Sequence, residues 1–211
     1  MLRVNSEIGK LSSVLVHLPG PEIDRMVPAM MEELLFDDIL FGSRAREEHR
    51  RFQQVLGYVA DEVLDVQTLL AEVLALREHR EAILDDLGRL LHWGPDIDGL
   101  LRDLSAEQLA HALVAGIEKP AGEAAQSSSE LYWLAPVPNY FFQRDPLVVV
   151  GERAIRGSMA TPARAREPLL SGYVFERHPR FARRDGAFWF QEFSAEFGPA
   201  TSYARMRPTL E

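Results

Sequence analysis

Residues 12–18 read SSVLVHL, a short apolar run rich in β-branched side chains that a Pro-Gly pair closes. Such a run predicts a buried strand followed by a turn. Pro28 predicts the start of a helix through MMEELLF, and a longer helix is expected from Ser43, which we interpret as its N-cap. Residues 62–66, EVLDV, predict a second strand. The order strand, helix, strand is typical of the first unit of an α/β fold.

The longer helix carries apolar residues at the spacing of a single helix face. This spacing predicts a stripe that packs on the core. The stripe consists of Phe52, Val55, Leu56 and Val59.

Between residues 68 and 117 the hydrophobic period becomes that of helices. Breaks are expected at Gly94-Pro95 and before Ser105, and Ser105 followed by Gln108 has the outline of a capping box. The segment therefore predicts a helical subdomain.

Residues 121–130, AGEAAQSSSE, are small and polar and predict a loop that leaves this helical subdomain. We expect three parts in the chain. They are a first α/β part at 1–67, a helical insertion with its exit loop at 68–130, and an α/β continuation at 131–211.

The α/β pattern resumes after the loop. Residues 147–150 predict a buried strand, and residues 154–158 are expected to pair with it through the intervening glycine turn. A helix is expected at 161–178, opened by a Thr-Pro pair. Residues 187–190, AFWF, predict a final strand.

Composition restricts the classes of function. The 211 residues include 23 Lys and Arg against 32 Asp and Glu, which gives a formal charge of −9 with His neutral. An acidic chain is a poor partner for nucleic acid, whose binding depends on neutralising phosphates. No run approaches the roughly 18 apolar residues that span a bilayer, and the N-terminal MLRVNSEIGK lacks the apolar core of a signal peptide. We therefore expect a soluble, cytoplasmic protein that binds neither nucleic acid nor membranes.

The sequence contains no cysteine. This excludes disulfides, thiolate metal sites and a cysteine nucleophile supplied by this chain. The histidines do not lie at metal-ligand spacing, so we expect no metal and no cofactor.

A first candidate site lies in the proline-bounded loop VPNYFFQRDP, residues 137–146, just before a predicted buried strand. Polar residues in such a loop are well placed to line a pocket. Asn139 offers a donor and an acceptor, Phe142 a flat apolar wall, and Asp145 a carboxylate that matches a guanidinium fork. Alternatively, Arg144 and Asp145 form a surface ion pair and the aromatic residues belong to the core. The residues alone leave both interpretations open.

A second candidate site is SMATPARARE, residues 158–167. Arg164 and Arg166 lie in the first turn of a predicted helix, where cations oppose the helix dipole. Residues that break a local rule are candidates for function, and an arginine aimed into a pocket could hold a ligand carboxylate. The alternative is a pair of solvated arginines compensated by Glu167.

Four segments, in order, resemble arginine deiminases, and the resemblance runs essentially the whole length of the chain. The third departs from the family's PN-x-x-F-T-R-D pattern at Gln143, where Thr is usual. The segments are SEIGKLSSVLVHLPG (6–20), EELLFDDIL (32–40), VPNYFFQRDP (137–146) and SMATPARARE (158–167).

The resemblance implies a five-bladed αβ-propeller built from pentein-type ββαβ units, with an inserted helical bundle. It also implies hydrolysis of L-arginine to L-citrulline and ammonia in arginine catabolism. In the family a cysteine thiolate attacks the guanidinium carbon, ammonia leaves, and water hydrolyses the covalent intermediate. Carboxylates hold the guanidinium nitrogens and a histidine transfers protons.

The resemblance also assigns roles to residues of this chain. Asn139 and Phe142 resemble the pocket-lining pair that contacts substrate. Asp145 resembles the carboxylate that binds the guanidinium, and Arg164 the arginine that pairs with the substrate carboxylate. Glu211 resembles the glutamate of the family's TLEGGD segment, a second guanidinium ligand, so that Asp145 and Glu211 are expected to act in catalysis.

The family's catalytic histidine segment and its cysteine have no counterpart here. We therefore expect a partial αβ-propeller that corresponds to the N-terminal half of an arginine deiminase and is inactive alone. Alternatives are one half of a split enzyme, joined by a complementing C-terminal half, and a non-catalytic arginine-binding or interaction module. An incomplete propeller exposes strand edges and apolar faces, so self-association is also expected.

Overall fold

The computed structural model describes residues 2–120 and 131–182. The loop predicted at 121–130, the strand predicted at 187–190 and Glu211 lie outside the described residues. Within them the protein is a mixed α/β structure. No helix in the described part is both long and apolar enough to cross a membrane.

The first part of the chain has the predicted order of strand, helix and strand. Strands β1 and β2 pair in parallel, with Val14 opposite Val63 and Val16 opposite Asp65. Three helices connect the strands, which a parallel pair requires because its ends lie far apart. The bounds are β1 Leu11–Val16, α1 Pro21–Asp24, α2 Met31–Leu34, α3 Gly42–Val59 and β2 Ala60–Asp65. A 3-10 turn at Pro28–Met30 precedes α2, so the helix predicted at Pro28 begins as a tighter turn.

The helical segment predicted between residues 68 and 117 is confirmed. Its helices are α4 Val66–Leu74, α5 Arg77–Leu91, α6 Pro95–Asp103 and α7 Ala106–Ala115. Asp65 caps α4, since its Oδ1 accepts from the backbone N–H of Gln67 at 2.9 Å. The chain leaves α7 through Gly116, whose φ of 78° is left-handed and where a Cβ would lie 2.5 Å from the carbonyl oxygen of Leu134. This turn therefore requires glycine.

Short antiparallel strand pairs follow. The bounds are β3 Ile117–Glu118, β4 Tyr132–Leu134, β5 Leu147–Val150 and β6 Arg153–Arg156. β3 pairs with β4, and β5 forms the predicted hairpin with β6 through Gly151. The last described helix, α8, spans Arg166–Arg177 and follows a 3-10 turn at Pro162–Arg164. The described strands form three separate two-stranded sheets, so the propeller and the domain boundaries at 67 and 130 stay predictions.

One hydrophobic core joins the helical segment to the second α/β part. Helix α4 packs on both α7 and α8. Leu70, Leu113 and Leu170, one from each of these helices, are fully buried. The cluster continues into the β5–β6 hairpin through Leu147 and Ala154. The helices therefore support the loop that precedes this hairpin.

The apolar stripe predicted on α3 is wrong. Phe52, Val55 and Val59 are 52%, 58% and 59% exposed, and only Leu56 is half-buried. The helix instead turns the side that carries Arg46 inward, because Arg46 pairs with Asp24 of α1 and donates to the carbonyl oxygen of Gly20. A sheet of two strands is also too narrow to cover the rest of the apolar face.

The N-cap predicted at Ser43 is also wrong. Phe41 occupies the cap position of α3, without a side-chain cap bond, and Ser43 lies inside the first turn. The cap lies two residues earlier than predicted, and Gly42, the first residue of the helix, packs against Asp24, where a Cβ would lie 1.7 Å from Oδ1.

Polar groups gather where the two parallel strands end. His17 follows β1 and is buried, with Nε2 3.1 Å from Oε1 of the equally buried Glu22. The His17 ring lies 5.3 Å from the Tyr140 ring, centroid to centroid. Asp65, at the end of β2, accepts from the backbone N–H of Leu18 at 3.1 Å. This cluster joins the first strand pair to the loop that contains Tyr140.

The two serines interpreted as N-caps give a matched test. Oγ of Ser105 accepts from the backbone N–H of Gln108 at 3.2 Å, and Oε1 of Gln108 accepts from the backbone N–H of Ser105 at 2.9 Å. S105A should therefore lower the free energy of unfolding by about 1 kcal/mol. S43A should change it by less than about 0.5 kcal/mol, since no cap is lost. Urea denaturation of both variants measures the difference, and equal effects would contradict the assignment of the caps.

A second test uses His49 on α3. Burial lowers the pKa of His49, nearby His17 lowers this pKa further, and Asp65 opposes the shift. The unfolded chain therefore takes up this proton at higher pH than the folded protein, so stability is lost as pH falls below about 6.5. H49Q should lose less free energy of unfolding than the wild type between about pH 7 and pH 5. H111Q, which changes an exposed histidine, is the control, and an undiminished loss in H49Q would contradict this role.

Candidate functional site

The loop between β4 and β5 is held by successive turns. Pro138 opens a 3-10 turn that ends at Phe141, and its fixed φ favours this conformation. The backbone N–H of Phe142 donates to the carbonyl oxygen of Asn139 at 2.9 Å. The backbone N–H of Asp145 donates to the carbonyl oxygen of Phe142 at 3.1 Å. Asn139, Phe142 and Asp145 are thus fixed relative to one another by backbone hydrogen bonds.

Asn139 is buried and connects this loop to the segment around α2. Its Nδ2 donates to the carbonyl oxygen of Leu34 at 2.8 Å, where α2 ends and Leu35 takes a left-handed φ of 60°. Helix-terminal carbonyls lack partners within their own helix, so the amide satisfies a group that is otherwise unpaired. Asn139 therefore has a structural contact that the sequence does not reveal.

All four segments that carry the family resemblance meet here. Arg144 forms a bidentate pair with Glu7 of the first segment, with both N–O distances at 3.1 Å. Leu34, of the second, belongs to a small apolar cluster against which Ala163, of the fourth, packs. The third segment contacts each of the other three, since it contains Arg144, Asn139 and Asp145. Residues far apart in sequence thus form one region.

Asp145 pairs with Arg164 and not with its neighbour Arg144. Oδ2 of Asp145 lies 2.9 Å from Nη2 of Arg164, and the Asp145 side chain is 47% exposed. The alternative of an Arg144–Asp145 surface pair is therefore wrong. The two residues predicted to bind opposite ends of a substrate contact each other directly.

Glu167 completes this arrangement. The Arg164 guanidinium donates from Nε to Oε1 and from Nη2 to Oε2 of Glu167, both at 2.8 Å. Glu167 is fully buried, and Arg164 is nearly so. Burial alone would lower the pKa of Arg164, but the carboxylates of Glu167 and Asp145 raise it above its ordinary value. The guanidinium stays charged between two carboxylates.

Arg166 is also buried rather than solvated. Its Nη2 donates to the carbonyl oxygen of Ala135, and its Nε has no partner among the described residues. Burial lowers the pKa of Arg166 to about 9. The interpretation of two solvated arginines is therefore wrong, although the expected compensation of Arg164 by Glu167 is present.

Phe142 lies at the surface beside Asp145. It is 46% exposed, and its ring centroid lies 4.0 Å from that of Phe141, at a tilt of 39°. An exposed aromatic ring can lie against a planar cation. Tyr140, two residues earlier in this loop, is fully buried, as the core interpretation predicted.

Sequence reasoning missed the contribution of Glu167 to the site. It treated this residue only as a neutralising charge, yet Glu167 holds both the Nε and the Nη2 of Arg164. The available signal was the i, i+3 spacing of an arginine and an acid near a helix start, which places the two side chains together. Glu211 lies outside the described residues, and within them no group of three or more metal-ligating side chains comes together.

Comparison with known proteins identifies the family. A sequence model described as arginine deiminase matches residues 32–201. The arginine deiminase of Staphylococcus haemolyticus is 35% identical over 205 residues, which cover 92% of this chain and 50% of that protein. Those of Streptococcus pyogenes and Lactococcus lactis are 37% and 36% identical, over 84% and 89% of this chain and 47% and 49% of their own lengths. The chain thus spans about half the length of these curated relatives. It belongs to the arginine deiminase family.

Proposed function

We propose that this chain binds L-arginine through Asp145 and Arg164, as the substrate-binding part of an enzyme that hydrolyses L-arginine to L-citrulline and ammonia. The observation that carries the proposal is the Asp145 carboxylate, which is half exposed and already accepts from a guanidinium, that of Arg164, at 2.9 Å. Its position therefore suits the functional group that distinguishes arginine.

The neighbouring residues fit the same ligand. Phe142 offers an exposed ring beside Asp145, against which a planar guanidinium can lie. Asn139 holds the loop in place through Leu34, so its part in binding is to fix the positions of Phe142 and Asp145. Glu211 remains our proposed second carboxylate for the guanidinium.

The same proposal extends to the architecture. We take the described sheets to belong to an αβ-propeller of ββαβ units, with the helical insertion at 68–130. The parallel pair β1–β2 with α3 between its strands supports this assignment.

The expected location is the cytoplasm, where arginine is available for catabolism.

The chemistry needs a group that this chain does not contain. Displacing ammonia from the guanidinium carbon requires a strong nucleophile. In the arginine deiminases that this chain resembles, the nucleophile is a cysteine thiolate. The sequence has no cysteine, and serine is far less ionised near neutral pH. We therefore propose that residues 1–211 bind arginine and that the cysteine and histidine of the reaction lie outside these residues.

A second candidate is a non-catalytic arginine-binding module, because the contact of Asp145 with a guanidinium would serve binding alone equally well. The two proposals differ in one result. Mixing the chain with the remaining half of a relative, such as the arginine deiminase of Lactococcus lactis, should yield citrulline if the chain is part of an enzyme. Binding without citrulline in that mixture supports the module.

Arginine binding gives the direct test. D145N should weaken binding of L-arginine to the purified chain by roughly tenfold or more, because a charge-assisted hydrogen bond contributes about 1.5–3 kcal/mol. Titration calorimetry measures the change. D61N is the matched control, since Asp61 is an exposed carboxylate paired with Lys10 outside the site. Unchanged binding in D145N would contradict the proposal.

A further inference from the structure

The Arg164 guanidinium connects two carboxylates in different environments. Glu167 is fully buried and receives both Nε and Nη2, each at 2.8 Å. Asp145 is 47% exposed at its side chain and receives only Nη2, at 2.9 Å. One end of this arrangement is therefore in the core, and the other is in contact with solvent.

The two contacts differ in how easily they open. Separating Arg164 from Glu167 would leave a buried carboxylate without a counter-charge, which is strongly unfavourable. Separating Arg164 from Asp145 leaves a carboxylate that water can solvate, while the guanidinium keeps its two contacts with Glu167. Arg164 is thus anchored at Glu167 and can be released at Asp145.

We propose that Arg164 occupies the guanidinium position on Asp145 in the ligand-free protein and that arginine displaces it from there. This inference rests on the proposed function and specifies how the site selects its ligand. The ligand guanidinium takes the place of Nη2 on Asp145, and the released Arg164 pairs with the ligand carboxylate.

The exchange makes the ligand carboxylate necessary. With arginine, one ion pair within the protein is replaced by two ion pairs to the ligand. With agmatine, which is arginine without its carboxylate, one pair is replaced by one, and the released Arg164 gains no new partner. Arg164 therefore acts as a competitor that guanidinium compounds without an acid group do not displace efficiently.

The test compares the two ligands in the full chain. Calorimetric titration of the wild type should show arginine binding roughly tenfold or more tightly than agmatine. The variant R164Q/E167Q removes both charges of the Arg164–Glu167 pair together, so neither is left without its counter-charge, and it retains a hydrogen-bonding pair. Because no guanidinium of residue 164 competes for Asp145 in this variant, it should bind agmatine more tightly than the wild type does. It should also lose the preference for arginine over agmatine. R144Q, which changes the exposed arginine beside Asp145, should behave as the wild type.

A result in which R164Q/E167Q binds agmatine no better than the wild type would overturn the exchange. The proposed function would survive that result if D145N still weakens arginine binding, so the two failures are distinguishable. If the double variant does not fold, D145N provides a second test of the exchange, because Asp145 is half exposed and its substitution should not prevent folding. Arg164 is released there without a ligand, so D145N should bind acetate more tightly than the wild type, and equal acetate binding would contradict the exchange.

Discussion

The buried carboxylate of Glu167 constrains the whole site. A fully buried acid needs a cation with hydrogen-bonding geometry beside it, and the Arg164 fork provides one through two 2.8 Å contacts. This pair fixes the direction of Arg164 at the start of α8. Because the same guanidinium also contacts Asp145, it fixes the position of the loop before β5 relative to α8.

The framework around this pair consists of contacts between distant segments. Asn139 holds the end of α2, and the hydrophobic core that contains α4, α7 and α8 extends to the β5–β6 hairpin. The helical segment thus supports the site although none of its residues was predicted to bind ligand. Leu170 of the core and Glu167 of the site lie on the same helix, α8, and both are fully buried, so the packing of this helix bears on both.

The elements that the sequence predicts well are those fixed by local rules. β1, β2, the helices between 68 and 117 and the capping box at Ser105 follow from periodicity, proline position and cap chemistry. The face of α3 and its first residue do not follow, because Arg46 and Gly42 make tertiary contacts with Asp24 that no local pattern encodes. In the site, residue chemistry suggested Asp145 as a guanidinium ligand. Its actual partner, Arg164, depends on a contact across 19 positions.

The hydrogen bond between Asn139 and Leu34 closes a loop of 105 residues. The entropy lost on closing so long a loop has to be offset by other contacts before the bond forms, and distant contacts slow folding. The contact between Asn139 and Leu34 is therefore expected to form late, after the helices between the two residues have packed. Neither the first sixty residues nor the last fifty described ones contain both partners, so the loop at 137–146 is held in place only in the assembled chain.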